Sequence, residues 1–203
     1  MKYLTGTLGL VLLIAAAISA ASAQEPSPVL DTSGQPLRRG VEYIIRPAIT
    51  DVGGPFTLID RNDSCPLYVG QVNAPTMQAF NVTFEPFDGA ESVVRESRDF
   101  KVTFSALSTC VMSTAWKVDH NTEVDGRRLI ATGEDNSSTL GFLANYFLIR
   151  RGAGGLYNIE WCPAALCPTC RLRCGSLGNL LENGKLLAAL DANALPLEFV
   201  RAG

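Results

Sequence analysis

The sequence contains a single histidine, His120, and that scarcity removes most catalytic arrangements at once. Any Ser-His-Asp or Cys-His set would have to use it. Its setting, Lys117-Val118-Asp119-His120-Asn121-Thr122, reads as a polar turn after a strand, a surface position. No G-x-S-x-G nucleophile elbow occurs anywhere. The paired carboxylates Glu134-Asp135 lie beside Asn136-Ser137-Ser138, which reads as a solvated loop rather than an acid–base pair. Positive charge is also short: 17 Lys and Arg stand against 20 Asp and Glu, a net charge of −3. The basic pairs Arg38-Arg39, Arg127-Arg128 and Arg150-Arg151 are scattered. Composition therefore argues against nucleic acid or an anionic membrane as the main partner.

Long apolar runs are absent except near the start, where residues 8–17 read LGLVLLIAAA. That run is too short to span a bilayer, which takes about 20 apolar residues. Lys2 precedes it and the small-x-small triplet Ala21-Ser22-Ala23 follows. The pattern predicts a signal peptide over 1–23, a mature domain over 24–203, and no membrane attachment after cleavage. Without Lys2 the mature chain carries a net charge of about −4. It is long enough to bury a sizeable core as one domain. All six cysteines, Cys65, Cys110, Cys162, Cys167, Cys170 and Cys174, lie in the mature part. An even count behind a secretory signal points to internal disulfides and a monomer. Free thiolates for a zinc site are disfavoured in that compartment, and Cys167-Pro168-Thr169-Cys170 lacks the βαβ setting of a redox motif. Asn62, Asn81 and Asn136 open N-x-Ser/Thr sequons and are expected glycosylation sites. Asn62 is the least favourable, since it adjoins Cys65 and its crosslink.

Between Gly, Pro, Asn and Asp clusters, short β-branched and aromatic runs recur. They predict strands at 43–46, 56–59, 67–72, 80–84, 100–104, 116–119, 129–132, 146–149, 156–161, 180–181, 186–190 and 197–200. Alternation is clearest in Phe100-Lys101-Val102-Thr103-Phe104 and Phe80-Asn81-Val82-Thr83-Phe84. The Leu- and Ala-rich stretch 177–190 could pass for a helix, but Asn183-Gly184 interrupts it and signals a hairpin. About twelve short strands give an all-β domain; periodicity alone leaves sandwich and barrel both open.

Five segments resemble the plant Kunitz-type (soybean-trypsin-inhibitor-like) family, and especially its miraculin-like branch. They are Val29-Leu30-Asp31-Thr32-Ser33-Gly34 running on to Gly40-Val41-Glu42-Tyr43; Gly53-Gly54 with Cys65-Pro66-Leu67 and Gln71; and Val93-Val94-Arg95-Glu96-Ser97 with Val102-Thr103-Phe104-Ser105-Ala106. The others are Ser113-Thr114-Ala115-Trp116-Lys117-Val118, and Leu156-Tyr157-Asn158-Ile159-Glu160-Trp161-Cys162-Pro163 with the later cysteines. The resemblance covers essentially the whole mature chain. It implies a β-trefoil, six strands closing a barrel and six capping one end. From the fifteen pairings that six cysteines allow, it implies Cys65–Cys110, with Cys162–Cys174 enclosing Cys167–Cys170.

The resemblance also implies a protein inhibitor of extracellular endopeptidases of the serine class, with no cofactor, no metal and no enzymatic activity. Its protease-binding loop would hold Pro86, Phe87, Asp88, Gly89 and Ala90, ahead of Glu91 and Ser92. Trypsin inhibitors of the family carry Arg or Lys before the scissile bond; here Phe87, Asp88 and Gly89 align there, and Arg95 is the nearest base downstream. Phe87 would suit a chymotrypsin-like pocket. Many members brace the loop with an Asn amide, and the corresponding residue here is Arg39. A miraculin-like secreted defence or storage protein without strong inhibition is the alternative. A carbohydrate-binding trefoil ranks below both: no Gln-x-Trp repeat exists, and the only tryptophans are Trp116 and Trp161.

Overall fold

Alternate burial makes the strands. Along β5 (Phe100–Phe104) the two phenylalanines and Val102 are buried while Lys101 and Thr103 face outward. Its partner β4 (Val82–Pro86) buries Val82, Phe84 and Pro86 in the same rhythm. The computed structural model describes residues 25–110 and 113–203; the expected signal segment lies outside them.

Six strands form a ring: β1 (Tyr43–Pro47), β4, β5, β8 (Leu148–Arg151), β9 (Tyr157–Trp161) and β13 (Leu197–Arg201). β13 pairs with β1, β1 with β4, β4 with β5, β8 with β9 and β9 with β13, all antiparallel. The bridge Phe100↔Phe147 joins β5 to the entry of β8 and closes the ring. Six more strands form three hairpins: β2 (Phe56–Ile59) with β3 (Tyr68–Gln71), β6 (Trp116–Val124) with β7 (Arg127–Thr132), and β11 (Gly178–Glu182) with β12 (Lys185–Ala189). Pairings β3–β7, β12–β3 and β12–β7 join the hairpins in a triangle. Barrel and triangular cap together make the β-trefoil the resemblance implied. A two-residue strand, β10 (Gly175–Ser176), pairs with β9 and was not anticipated. Nor was α1 (Thr139–Leu143), the only α-helix among the described residues, which the Ser138 hydroxyl caps by accepting the Gly141 N–H.

The Asn183-Gly184 hairpin is present; both residues have positive φ, as a two-residue primed turn requires. A second such turn, Asp125-Gly126, carries β6 four residues past His120, to Val124. His120 therefore does not lie in a surface turn. Its half-buried ring stands edge-on to Trp161 at 5.2 Å, and its buried Nε2 has no partner among the described residues. Burial and the nearby Arg128 lower its pKa, which favours the neutral ring. Asp119 is engaged by the Tyr68 hydroxyl and the Asn121 N–H, so it does not orient the imidazole.

The barrel core is aromatic. Phe84 packs against Tyr43, Phe100 and Phe199, and Trp116 against Phe56, Phe104 and Phe147, with centroids 5.3–6.2 Å apart. Each such side chain contributes roughly 1.5–3 kcal/mol by leaving water. The three disulfides pair as the resemblance implied, with sequence separations of 45 (Cys65–Cys110), 12 (Cys162–Cys174) and 3 (Cys167–Cys170). Among the described residues no helix is long and apolar enough to cross a membrane, and no three His, Cys, Asp or Glu gather to hold a metal ion.

Candidate functional site: the loop between β4 and β5

The β4–β5 ladder ends at Pro86↔Phe100, and one more bond, Phe87 N–H to the Asp99 carbonyl at 2.9 Å, clamps the base of the loop. Beyond it the chain turns sharply. The Asp88 carbonyl accepts the Glu91 N–H at 3.0 Å, and its carboxylate accepts the Ala90 N–H at 2.9 Å. Local polar chemistry of this kind sets a turn without help from a ladder. The exit leg is stitched to the N-terminal segment: Val93 bridges Arg38, and buried Val94 exchanges backbone bonds with Val29 and Leu37.

Arg39 holds the loop from beneath. Its backbone N–H donates to the Ser92 carbonyl, and its guanidinium donates to the carbonyls of Gly89 (2.7 Å), Asp88 (3.0 Å) and Pro86 (3.1 Å). Gly40, with a φ of 70°, makes the left-handed turn that follows it. The departure from an Asn brace is therefore a substitution of one donor group for another. A planar fork reaches three acceptors where a carboxamide NH2 offers two donors.

Of the residues expected in the loop, Phe87, Asp88, Gly89 and Ala90 lie in it, whereas Pro86 is the last residue of β4, paired with Phe100. Pro86 is buried and the other four are exposed. Phe87 is only 51% exposed, because its ring meets Tyr146 edge-on at 5.4 Å. Tyr146 in turn packs on Phe142 of α1. The Asp88 side chain is occupied by the turn, and Gly89 has none. Ala90 is the first residue of the apex whose side chain is both exposed and unengaged. Of the sequons, Asn62 and Asn136 are exposed, whereas Asn81 is half-buried and its amide donates to Glu42.

Three further residues matter here, and apart from the bracing position of Arg39, which the resemblance gave, no signal in the sequence marked them. Tyr146 and Arg39 reach the loop across the fold. The third, Asp99, is 8% exposed, and its Oδ1 has no partner among the described residues. Burial pushes its carboxyl up to about 6, against a smaller opposing pull from Arg98. A carboxyl raised in the folded state stabilises that state fully only below its unfolded pKa, near 3.8, and the benefit is lost as pH rises through 6. Asp99→Asn should therefore raise stability at pH 7.5 by about 2 kcal/mol, part of the gain being offset by burial of the amide. It should do nothing favourable at pH 3.5. Thermal melts across this range check it; equal effects at both ends would show that the carboxyl is not the cause.

A family model described as trypsin and protease inhibitor, legume Kunitz type, matches residues 29–201. Kunitz type trypsin inhibitor 106 of Medicago truncatula is 45% identical over 174 residues, 84% of this chain and 85% of that one. Miraculin of Synsepalum dulcificum is 32% identical over 199 residues, 93% and 90% of the two chains. Among solved structures, a Kunitz-type cysteine protease inhibitor from potato superposes with a TM-score of 0.74 at 26% identity, over 88% of this chain and 99% of that one. Fold, disulfide pairing and sequence agree, and the chain belongs to the legume Kunitz family, whose members are protease inhibitors and not enzymes.

Proposed function

We propose that the mature chain is a secreted, monomeric inhibitor of extracellular endopeptidases of the serine class, reaching the extracellular space or the vacuole by the secretory pathway. It presents the loop 86–92 as a substrate that docks without distortion. The observation that carries this reading is the Arg39 fork on three loop carbonyls. A loop already rigid in its docked shape loses little entropy on binding, so its contacts appear as affinity.

Side-chain availability favours Ala90 for the pocket-filling role. Phe87 would have to leave Tyr146 to enter a pocket, and Asp88 would have to abandon the turn it caps. Asp88 would also meet the buried carboxylate of a trypsin-like pocket, two like charges in a poorly solvated site. This loop thus suits proteases with a small or permissive pocket, such as elastase and subtilisin, over trypsin. The test is a panel of elastase, subtilisin, chymotrypsin, trypsin and papain against the mature protein, with Ala90→Phe and Phe87→Ala. Ala90→Phe should improve chymotrypsin inhibition at least tenfold, and Phe87→Ala should change it less than threefold. The reverse pattern would return the role to Phe87. If the panel is uninhibited and neither change matters, the likeness to miraculin gains weight and a defence or storage role replaces inhibition.

A further inference from the structure

The geometry points to a second, independent protease-binding segment centred on Arg171, fitted to trypsin-like serine proteases. It lies in the loop that leaves β9 at Trp161 and returns at Gly175 of β10. Two nested disulfides close that loop, Cys162–Cys174 around Cys167–Cys170. Its first half is folded on itself by backbone bonds, including Cys167 N–H to the Pro163 carbonyl and Cys170 N–H to the Cys167 carbonyl. The second half differs. Among the described residues, Arg171, Leu172 and Arg173 form no backbone hydrogen bond, so their peptide groups are open to pair with an added strand, the way an extended peptide docks.

The segment is nevertheless fixed at both ends. Cys170 is locked to Cys167 on one side of Arg171. On the other side Leu172 packs against the barrel core, and Arg173 is tied to Glu123, to Asp191 and to the Gly126 carbonyl. Between these anchors Arg171 is exposed and has no ion pair or side-chain hydrogen bond among the described residues. Arg38 and Arg98 are also exposed, but their backbones are engaged, Arg38 in the bridge to Val93 and Arg98 in a turn to Arg95. Among the described residues, Arg171 alone combines an uncommitted basic side chain with free peptide groups on a preorganised segment.

The chemistry of such a site is self-limiting. When a trypsin-like serine attacks, its oxygen forms an ester with the Arg171 carbonyl carbon. The bond to the Leu172 nitrogen breaks, and the serine proton passes through the protease's histidine to that amine. The new amine does not diffuse away, because Cys162–Cys174 spans the cut and Leu172 stays anchored in the core. It remains beside the ester and can attack it, reversing the step with the same proton returned to serine. A trapped complex is then favoured over turnover.

The experiment is titration of trypsin with the disulfide-intact mature protein and its variants. Wild type should inhibit trypsin. Arg171→Ala should weaken inhibition at least a hundredfold, Arg171→Lys should retain it within tenfold, and Ala90→Glu should leave it unchanged. Elastase or subtilisin inhibition, carried by the other loop, should respond in the opposite order, so either reading can fail alone. Absence of trypsin inhibition by wild type overturns the proposal. So does full inhibition by Arg171→Ala, loss of trypsin inhibition through Ala90→Glu, or complete cleavage at 171–172 without a retained complex.

Discussion

Arg39→Ala should weaken inhibition through the β4–β5 loop by about a hundredfold while moving the melting temperature by only a few degrees. The side chain makes three charge-assisted bonds, two of them to exposed carbonyls of the apex. At about 1 kcal/mol each for partly hydrated bonds, their loss totals about 3 kcal/mol, and each 1.4 kcal/mol is tenfold in affinity. The bonds link a surface loop to its base, so the core hardly registers them. Arg39→Lys should fall between the two, since one ammonium cannot span three acceptors. The distinguishing readout is cleavage: the unbraced loop should be hydrolysed faster by the same protease it formerly blocked. If inhibition constants and cleavage rates of Arg39→Ala match wild type, the fork is not what stiffens the loop.

The second large effect is on stability. Replacing both Cys65 and Cys110 by Ala should cost about 4 kcal/mol, and replacing both Cys167 and Cys170 about 2, because a longer closed loop removes more entropy from the unfolded chain. The sequence separations are 45 and 3. Cys65 lies in the β2–β3 connection and Cys110 in the β5–β6 connection, so this bond ties cap to barrel as well as shortening the unfolded chain. Denaturant melts of the two double variants test the order. A larger loss for the short loop would mean that native-state packing around Cys167–Cys170, and not chain entropy, dominates.

Strands were legible wherever burial alternates, as in Phe100-Lys101-Val102-Thr103-Phe104, because a half-buried strand writes its period into the side chains. Asn183-Gly184 was legible because few other pairs accept positive φ twice in succession. Asp125-Gly126 carries the same signal, and reading it would have extended β6 through His120. The outer half of that strand is mostly polar and shifts register after Val118, so hydrophobicity alone did not reveal it. The β4–β5 loop was legible as a turn between strands, but the contacts that brace it were not. That Arg39 corresponds to a bracing position followed from the resemblance. That its guanidinium reaches carbonyls 47 to 50 residues away depends on where β1 and β4 place the two segments. Likewise Phe87 reads as an exposed loop residue, since nothing local announces Tyr146, 59 positions later, beneath its ring.

The distance in sequence between Arg39 and the apex has a consequence for quality control. The fork can close only after β1 and β4 have paired, so rigidity of the loop reports that the barrel is assembled. A copy that is misfolded, reduced or half-unfolded offers the same residues on a limp chain, and a limp chain is a meal for the target protease. If the loop is the protease-binding site proposed above, the target would act as proofreader of its own inhibitor, digesting defective copies and sparing sound ones. Partial damage to a population would then appear as fewer active molecules, each still binding at full strength, and not as a general weakening.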